Sequence, residues 1–289
     1  MRRIMLYALA AVAAAAVGCA RVSSLPTSGG NADKGDGTEG GSGATVLLDG
    51  SAFEPRGSTR ADAALIAGGD GGTACQRELV AVIRDFRSGE KDGQPKHPDF
   101  EYMVDIDPGI VTPLLGGDGK PVYAGGTKGT TTTKENFDQW YRDVAGVNIH
   151  FDKTIPLSPD PTRPGYFIYD DDAFFPLGND EGWGDQYLAH NYDFTTEIHV
   201  TFPYNGGEVF TFRGDDDVFI FVAGQLVSDL GGVHNALTGA VVMDDWASRL
   251  GLVAGQSYRM DIFQAERHCC DSHFHLETTL SCITNIIIQ

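Results

Sequence analysis

GDDDVFIFVAGQLVSDLGGVH, residues 214–234, decides the fold class. Asp215, Asp216 and Asp217 open the stretch as three successive carboxylates. They repel one another, so gathering them without a cation is costly. Val218 to Val222 follow, β-branched or aromatic at every position. That composition describes a strand buried on both faces. In a regular strand neighbouring side chains point to opposite faces, which puts Asp215 and Asp217 on the same one. Calcium, which takes about six to eight oxygen ligands, suits such a cluster. A solvated acidic turn capping strand ends is the other reading.

The same texture continues outward on both sides. Leu79 to Phe86 reads as a strand. Ile198, Val200 and Phe202 alternate with Glu197, His199 and Thr201, the pattern of a half-buried strand. Gly206-Gly207 punctuates, and Val209 to Phe212 reads as a further doubly buried strand. Tyr258, Met260 and Ile262 alternate, as do Phe274, Leu276, Thr278 and Leu280. One helix is predicted. Thr132 and Glu135 form a capping box, and Phe137, Trp140, Tyr141 and Val144 follow at i, i+3, i+4, i+7 before Gly146. Short strands, Gly-rich turns and one short helix predict a mainly β fold, an antiparallel sandwich or barrel over residues 75–289.

The segment before it has a different texture. Arg2 and Arg3 precede a nearly pure apolar run, Ile4 to Val17, too short to span a bilayer comfortably. The run ends in Ala16-Val17-Gly18-Cys19, which resembles the lipobox of bacterial lipoproteins. The resemblance implies that residues 1–18 are a lipoprotein signal peptide and that Cys19 is acylated. The membrane is then a partner through the lipid anchor. Ala20 follows, not the Asp that often retains lipoproteins in the inner membrane, so the expected location is the outer membrane or cell surface. Residues 19–74 are rich in Gly, Ser, Ala, Thr and Asp and read as a flexible tether. A chain of that length has a root-mean-square reach of roughly 40 Å. The formal charge of −19 repels nucleic acid, which excludes a nucleic-acid partner.

Residues 79–280 as a whole resemble the fibro-slime domain. The resemblance is carried by Ile83-Arg84-Asp85-Phe86, His97-Pro98-Asp99-Phe100-Glu101, Phe137 with Gln139-Trp140-Tyr141, and Phe174-Phe175-Pro176-Leu177. His190-Asn191-Tyr192 with Phe194-Thr195-Thr196-Glu197, the opening stretch, and Ala265-Glu266-Arg267-His268 complete it. That family is related to protective-antigen-type lectin domains of flocculins and fungal adhesins, β-sandwiches that bind sugars through calcium. The resemblance implies a lectin-like fold, an extracellular polysaccharide or glycan as partner, and calcium as cofactor. It places a cis-linked Asp pair on Asp215-Asp216, with Asp271 as a further metal ligand. Asp217, His234, Glu266, Arg267, His268 and His273 become the carbohydrate-binding candidates. Ala223 and His273 stand where the family usually has Asn, and Cys269-Cys270 where small residues are common.

Four cysteines follow the anchor: Cys75, Cys269, Cys270 and Cys282. An even set in an oxidising compartment reads as disulfides. In the resembled fold the first and last strands lie side by side, which implies Cys75 with Cys282 and leaves Cys269 with Cys270. Free thiols in the doublet, or Cys75 and Cys282 each paired with one of the two, stay open. Asp170-Asp171-Asp172 lacks the Gly and distant Glu of an EF-hand and reads as an acidic loop. Cys-Cys-x-x-His is not zinc spacing. No Gly-x-Ser-x-Gly elbow, His-Glu-x-x-His helix or phosphate loop appears, and no carboxylate pair stands out as a glycosidase pair. The expected function is therefore binding, not catalysis: adhesion or matrix attachment. A matrix protein without a sugar site and a glycosidase are the alternatives. Cys19→Ser is expected to move the protein from the membrane to the soluble fraction on cell fractionation; unchanged membrane attachment would refute acylation.

Overall fold

Val218–Val222 is a wholly buried run in the larger of two sheets. The structure, a computed structural model, describes residues 45–46, 75–89, 94–184 and 189–287. The longer strands are β1 (Glu78–Asp85), β2 (Ile149–Pro156), β3 (Phe167–Asp171), β4 (Phe194–Tyr204) and β5 (Val209–Gly214). They continue with β6 (Asp217–Val222), β7 (Gln225–Leu230), β8 (Leu237–Val242), β9 (Gln256–Glu266) and β10 (Phe274–Thr278). The larger sheet runs β7-β6-β9-β4-β1-β2, with Thr284–Asn285 also on β4. The smaller runs Thr45–Val46, β8, β5, β10, β3, Ser158–Pro159. All ten longer strands pair antiparallel; Thr45–Val46 lies parallel to Thr238–Gly239.

Two apolar cores explain which strands are buried on both faces. The first fills the space between the sheets, with Ile198, Val200 and Phe202 from β4 against Phe210, Phe212, Phe274 and Leu276. The second lies on the outer face of the larger sheet, where Phe219, Phe221, Phe263 and Ala265 meet Phe100, Phe137, Trp140 and Tyr141. Alternate residues of β6 therefore serve different cores: Val218, Ile220 and Val222 the first, Phe219 and Phe221 the second. The same third layer corrects the reading of Ile198–Phe202 as half-buried, because Glu197 and His199 are covered too. Val209–Phe212 is corrected the other way. Among the described residues no third layer covers the smaller sheet there, and β5 alternates partly exposed with buried.

The predicted helix shrinks to one turn, α1 (Lys134–Phe137). Its cap is Thr133, whose hydroxyl accepts from Asn136 N at 3.2 Å; the Thr132 hydroxyl donates to Asp99 instead. Beyond it, Asn148 takes over the backbone. Its amide donates to the Gln139 and Arg142 carbonyls at 2.9 and 2.8 Å and accepts from Val144 N at 3.0 Å. Side-chain bonds of this kind compete with helical ones, so the apolar spacing is kept without the helix. A helix that the spacing did not suggest, α2 (Met243–Leu250), follows β8. It has no side-chain N-cap bond, and it ends on Gly251 in the left-handed conformation at φ 69°. Asp170 and Asp171, expected in a loop, end β3, where Asp170 meets His275 and Asp171 accepts from Ala173 N.

Beneath the third layer lies a buried ion network. Glu197 accepts from Arg84 Nη1 at 2.6 Å, from Lys120 and from His199, whose other nitrogen lies 2.5 Å from Asp261. Burial opposes the Glu197 charge, but His199, Arg84 and Lys120 outweigh it and lower its pKa from 4.5 to about 2. The folded value lies below the unfolded one, so this stabilisation is present above pH 4.5 and is lost as the pH falls toward 2. Urea denaturation from pH 7 to pH 2 is expected to show a fall in stability in that window that Glu197→Gln weakens. An identical pH profile in the variant would contradict the assignment.

Candidate functional site: an acidic mouth at one end of the sandwich

The register across the larger sheet gathers five acids at one end. Ala265 on β9 faces Asp217 on β6, Glu266 faces Phe194 on β4, and Phe194 faces Asp85 on β1. Asp216 and Asp193 lie just beyond the ends of β6 and β4. The Asp215–Asp216 peptide is cis, at the pair where the family resemblance put it.

Each member of the triplet is buried and held by different partners. Asp215 accepts from His273 N at 2.6 Å and stands 3.0 Å from His273 Nδ1. Asp216 accepts from His234 N on one oxygen and Arg267 N on the other, both at 3.0 Å. Asp217 accepts from Gly232 N and Arg267 Nε, both at 2.6 Å. Arg267 extends from there to the Asp99 and Thr130 carbonyls at 3.0 and 2.8 Å, with its guanidinium 4.7 Å from the Trp140 ring centre.

Glu266 stands apart. It is wholly buried, and both carboxylate oxygens lack a hydrogen-bond partner. Ser272, the nearby hydroxyl, donates its proton to the Phe174 carbonyl. Burial, then the charges of Asp216 and Asp215, push the Glu266 carboxyl well above the ordinary range. Asp216 is pushed up by burial and by Asp215 and Asp217, against the pull of Arg267. The hydrogen bond to Asp215 raises the His273 imidazole. The mouth thus holds more buried negative charge than its one guanidinium can balance, and an unpaired buried carboxylate is costly. Oxygen donors, high charge and an orphaned carboxylate fit a hard divalent cation. Asp215, Asp216 and Glu266 are the acids at hand for it, although their oxygens do not converge at metal-ligand spacing as ligand atoms of Glu101, His268 and Cys269 do.

The other candidates from the sequence separate into those that reach this mouth and those that do not. Asp217 and Arg267 are withdrawn from solvent into a buried ion pair with each other. Glu266 is likewise wholly buried and stands with the carboxylates. His234 holds Asp216 through its backbone, while its ring nitrogens lie 3.1 Å from the Leu230 and Asn235 carbonyls. His268 is partly exposed beside Glu101. Asp271 is exposed and shares no hydrogen bond with Asp215 or Asp216. Glu101, His268 and Cys269 come together at metal-ligand spacing, but Cys269 is bonded to Cys270 and has no thiolate to offer. Cys75 is bonded to Cys282, beside the bridge Gln76–Ile283. That bridge, not pairing of the first and last long strands, brings them together, since β1 and β10 lie in different sheets. Asp193 was not singled out by the sequence. It is buried with both oxygens unpaired, and burial and Glu101 push it well above the ordinary range.

Residues 145–287, which contain β2 to β10 and the whole triplet, match the model of the PA14 domain. The match covers just under half of the chain, and the mainly β, antiparallel fold is the one expected. The chain is homologous to the psi proteins of Dictyostelium discoideum. It is 39% identical to protein psiD over 215 residues, 68% of this chain and 40% of psiD. It is 35% identical to protein psiR over 203 residues, 64% of this chain and 20% of psiR. The chain therefore spans well under half the length of these relatives. Among solved structures, a PA14 sugar-binding domain from an RTX adhesin is similar at 12% identity and TM-score 0.26, over 72% of this chain and 95% of that one. The epithelial adhesin 9 A domain of Candida glabrata, in complex with Galβ1-4GlcNAc, aligns at 13% identity and TM-score 0.28, over 70% of this chain and 84% of that one. The expected signal peptide (residues 1–18), the lipid site Cys19 and the tether (19–74), apart from residues 45–46, lie outside the described residues.

Arg267→Ala is expected to cost about 3–5 kcal/mol in chemical denaturation, because it leaves Asp217 buried and unpaired. A loss below about 1 kcal/mol, typical of exposed pairs, would overturn the structural role.

Proposed function

We propose that this protein is a lectin-like surface module that binds extracellular polysaccharide through a calcium ion, for adhesion or matrix attachment. The observation that carries the reading is the mouth itself. Asp215, Asp216 and the unpaired Glu266 gather at the open end of the sandwich, and their one buried guanidinium is committed to Asp217. The chain's own groups fix the acids in advance. His234 N and Arg267 N hold the two oxygens of Asp216, and His273 holds Asp215. Such preorganisation lowers the cost of binding. A bound calcium supplies coordination positions that two neighbouring sugar hydroxyls can fill. The PA14 match over residues 145–287 supports a binding module over an enzyme. A lipid on Cys19 would keep the module at the cell surface.

Calorimetry on the protein is expected to show calcium binding that Asp215→Asn and Glu266→Gln each weaken at least roughly tenfold. A glycan array is expected to give signal in calcium that EDTA abolishes. No heat of binding at millimolar calcium, or signal unchanged by EDTA, would refute the calcium-dependent reading.

A further inference from the structure

Half of the large apolar side chains exposed among the described residues sit on one short segment. Tyr102, Met103, Val104 and Ile106 are 49, 43, 42 and 50% exposed; the other four, Leu114, Val242, Val253 and Ile287, are scattered along the chain. Isolated exposed apolar residues are ordinary, but a cluster marks an interaction site.

Both ends of this segment are fastened to the supports of the acidic mouth. At its start, Glu101 N donates to the Arg267 carbonyl at 2.7 Å, and the Glu101 carboxylate accepts from Cys269 N at 2.9 Å. Glu101 itself takes a left-handed conformation, φ 49°, uncommon outside glycine. At its end, Asp105–Ile106 pairs with Gly232–Val233, and Asp107 N donates to the Gly231 carbonyl at 2.7 Å. The approach needs Gly232, where a Cβ would lie 2.3 Å from the Asp105 carbonyl oxygen. Asp107 locks the end further by accepting from Lys128 N and Thr130 N at 2.8 and 3.0 Å. Arg267 and His234 are the residues whose backbone N–H groups hold the two oxygens of Asp216. The segment therefore runs from Arg267, one holder of Asp216, to Gly231–Val233, which directly precede the other, His234, and it presents apolar side chains to solvent on fixed supports.

We infer that Tyr102, with the neighbouring Met103, Val104 and Ile106, forms the apolar wall of the binding mouth and packs against the C–H face of a pyranose ring whose hydroxyls engage the cation. This rests on the proposed calcium-dependent sugar binding and adds the residues that contact the ring. The occupant must offer oxygens to an acidic, cation-holding floor and apolar surface to a wall beside it. A pyranose does both, with vicinal hydroxyls on one edge and a patch of C–H groups on one face. A second copy of this acidic chain would bring charge of like sign against the mouth, and a purely apolar partner would offer a cation no oxygen.

The test compares wild type, Tyr102→Ala, Tyr102→Phe and Met103→Ser on one array of pyranose-terminated oligosaccharides in calcium, with sedimentation of each. Tyr102→Ala is expected to lower the signal roughly tenfold on the glycans that wild type binds, Met103→Ser to lower it less, and Tyr102→Phe to retain it. Wild-type signal that both Tyr102→Ala and Met103→Ser leave unchanged overturns the wall while leaving the proposed function standing. A wild type blank on the array in calcium overturns the proposed function and this inference with it. A wild-type dimer that Tyr102→Ala dissolves would assign the segment to self-association instead.

Discussion

The buried guanidinium of Arg267 is the contact on which most of the rest depends. It pairs with Asp217 in the sheet and donates to two carbonyls, Asp99 and Thr130, of the layer packed outside it. A planar group with five donors can bridge two layers in this way; a point charge such as lysine's cannot. Its own backbone completes the arrangement, since the N–H holds Asp216 and the carbonyl holds Glu101. Sheet, outer layer and acidic mouth are thus fastened at one residue. The same pairing leaves Arg267 only a partial counterweight to Asp216, whose carboxyl stays raised despite it.

The outer layer shows how a segment with little regular structure stays ordered. Between residues 97 and 148, side-chain carboxylates and amides take the place of a backbone ladder. Asp99 accepts from Thr132 N at 2.7 Å and from the Trp140 indole at 3.0 Å. Asp107 gathers Lys128 and Thr130, and Asn148 gathers Gln139, Arg142 and Val144. Buried backbone groups need partners of some kind, and here acids from distant positions supply them. The aromatic cluster of Phe100, Phe137, Trp140 and Tyr141 then has a rigid frame to pack in. Much of the chain's acidity is accordingly structural, not a solvated coat.

This division explains what the sequence made legible. Val218–Val222 showed its double burial in its composition, and Phe274–Thr278 its alternation, because both strands are read from local pattern. Phe137, Trp140 and Tyr141 showed the right buried face but the wrong backbone, and Val144 stays partly exposed, because Asn148 decides the turn from outside the pattern. The triplet marked the mouth, yet three identical acids do not reveal that Asp217 turns inward to Arg267 while Asp215 and Asp216 do not. Glu266 drew notice as a sugar-contact candidate, but the sequence does not show that it is wholly buried and turned away from its neighbour Arg267, since neighbours on a strand face opposite ways. Asp193 gave no signal, because its isolation is a property of the folded surroundings.

The disulfide between Cys75 and Cys282 has a mechanical consequence. The chain enters β1 from Cys75, just before Glu78, while the acidic mouth lies at the far end of that strand, beyond Asp85. Eight residues of strand separate the two by about 25 Å. A pull between the entry point and an occupant of the mouth would run along β1, loading its hydrogen bonds to β2 and β4 together in shear instead of opening them one at a time. The covalent bond at the entry point shares that load with the segment that carries Thr284–Asn285 onto β4. Under tension the domain is arranged as a clamp gripped at both ends of its longest sheet.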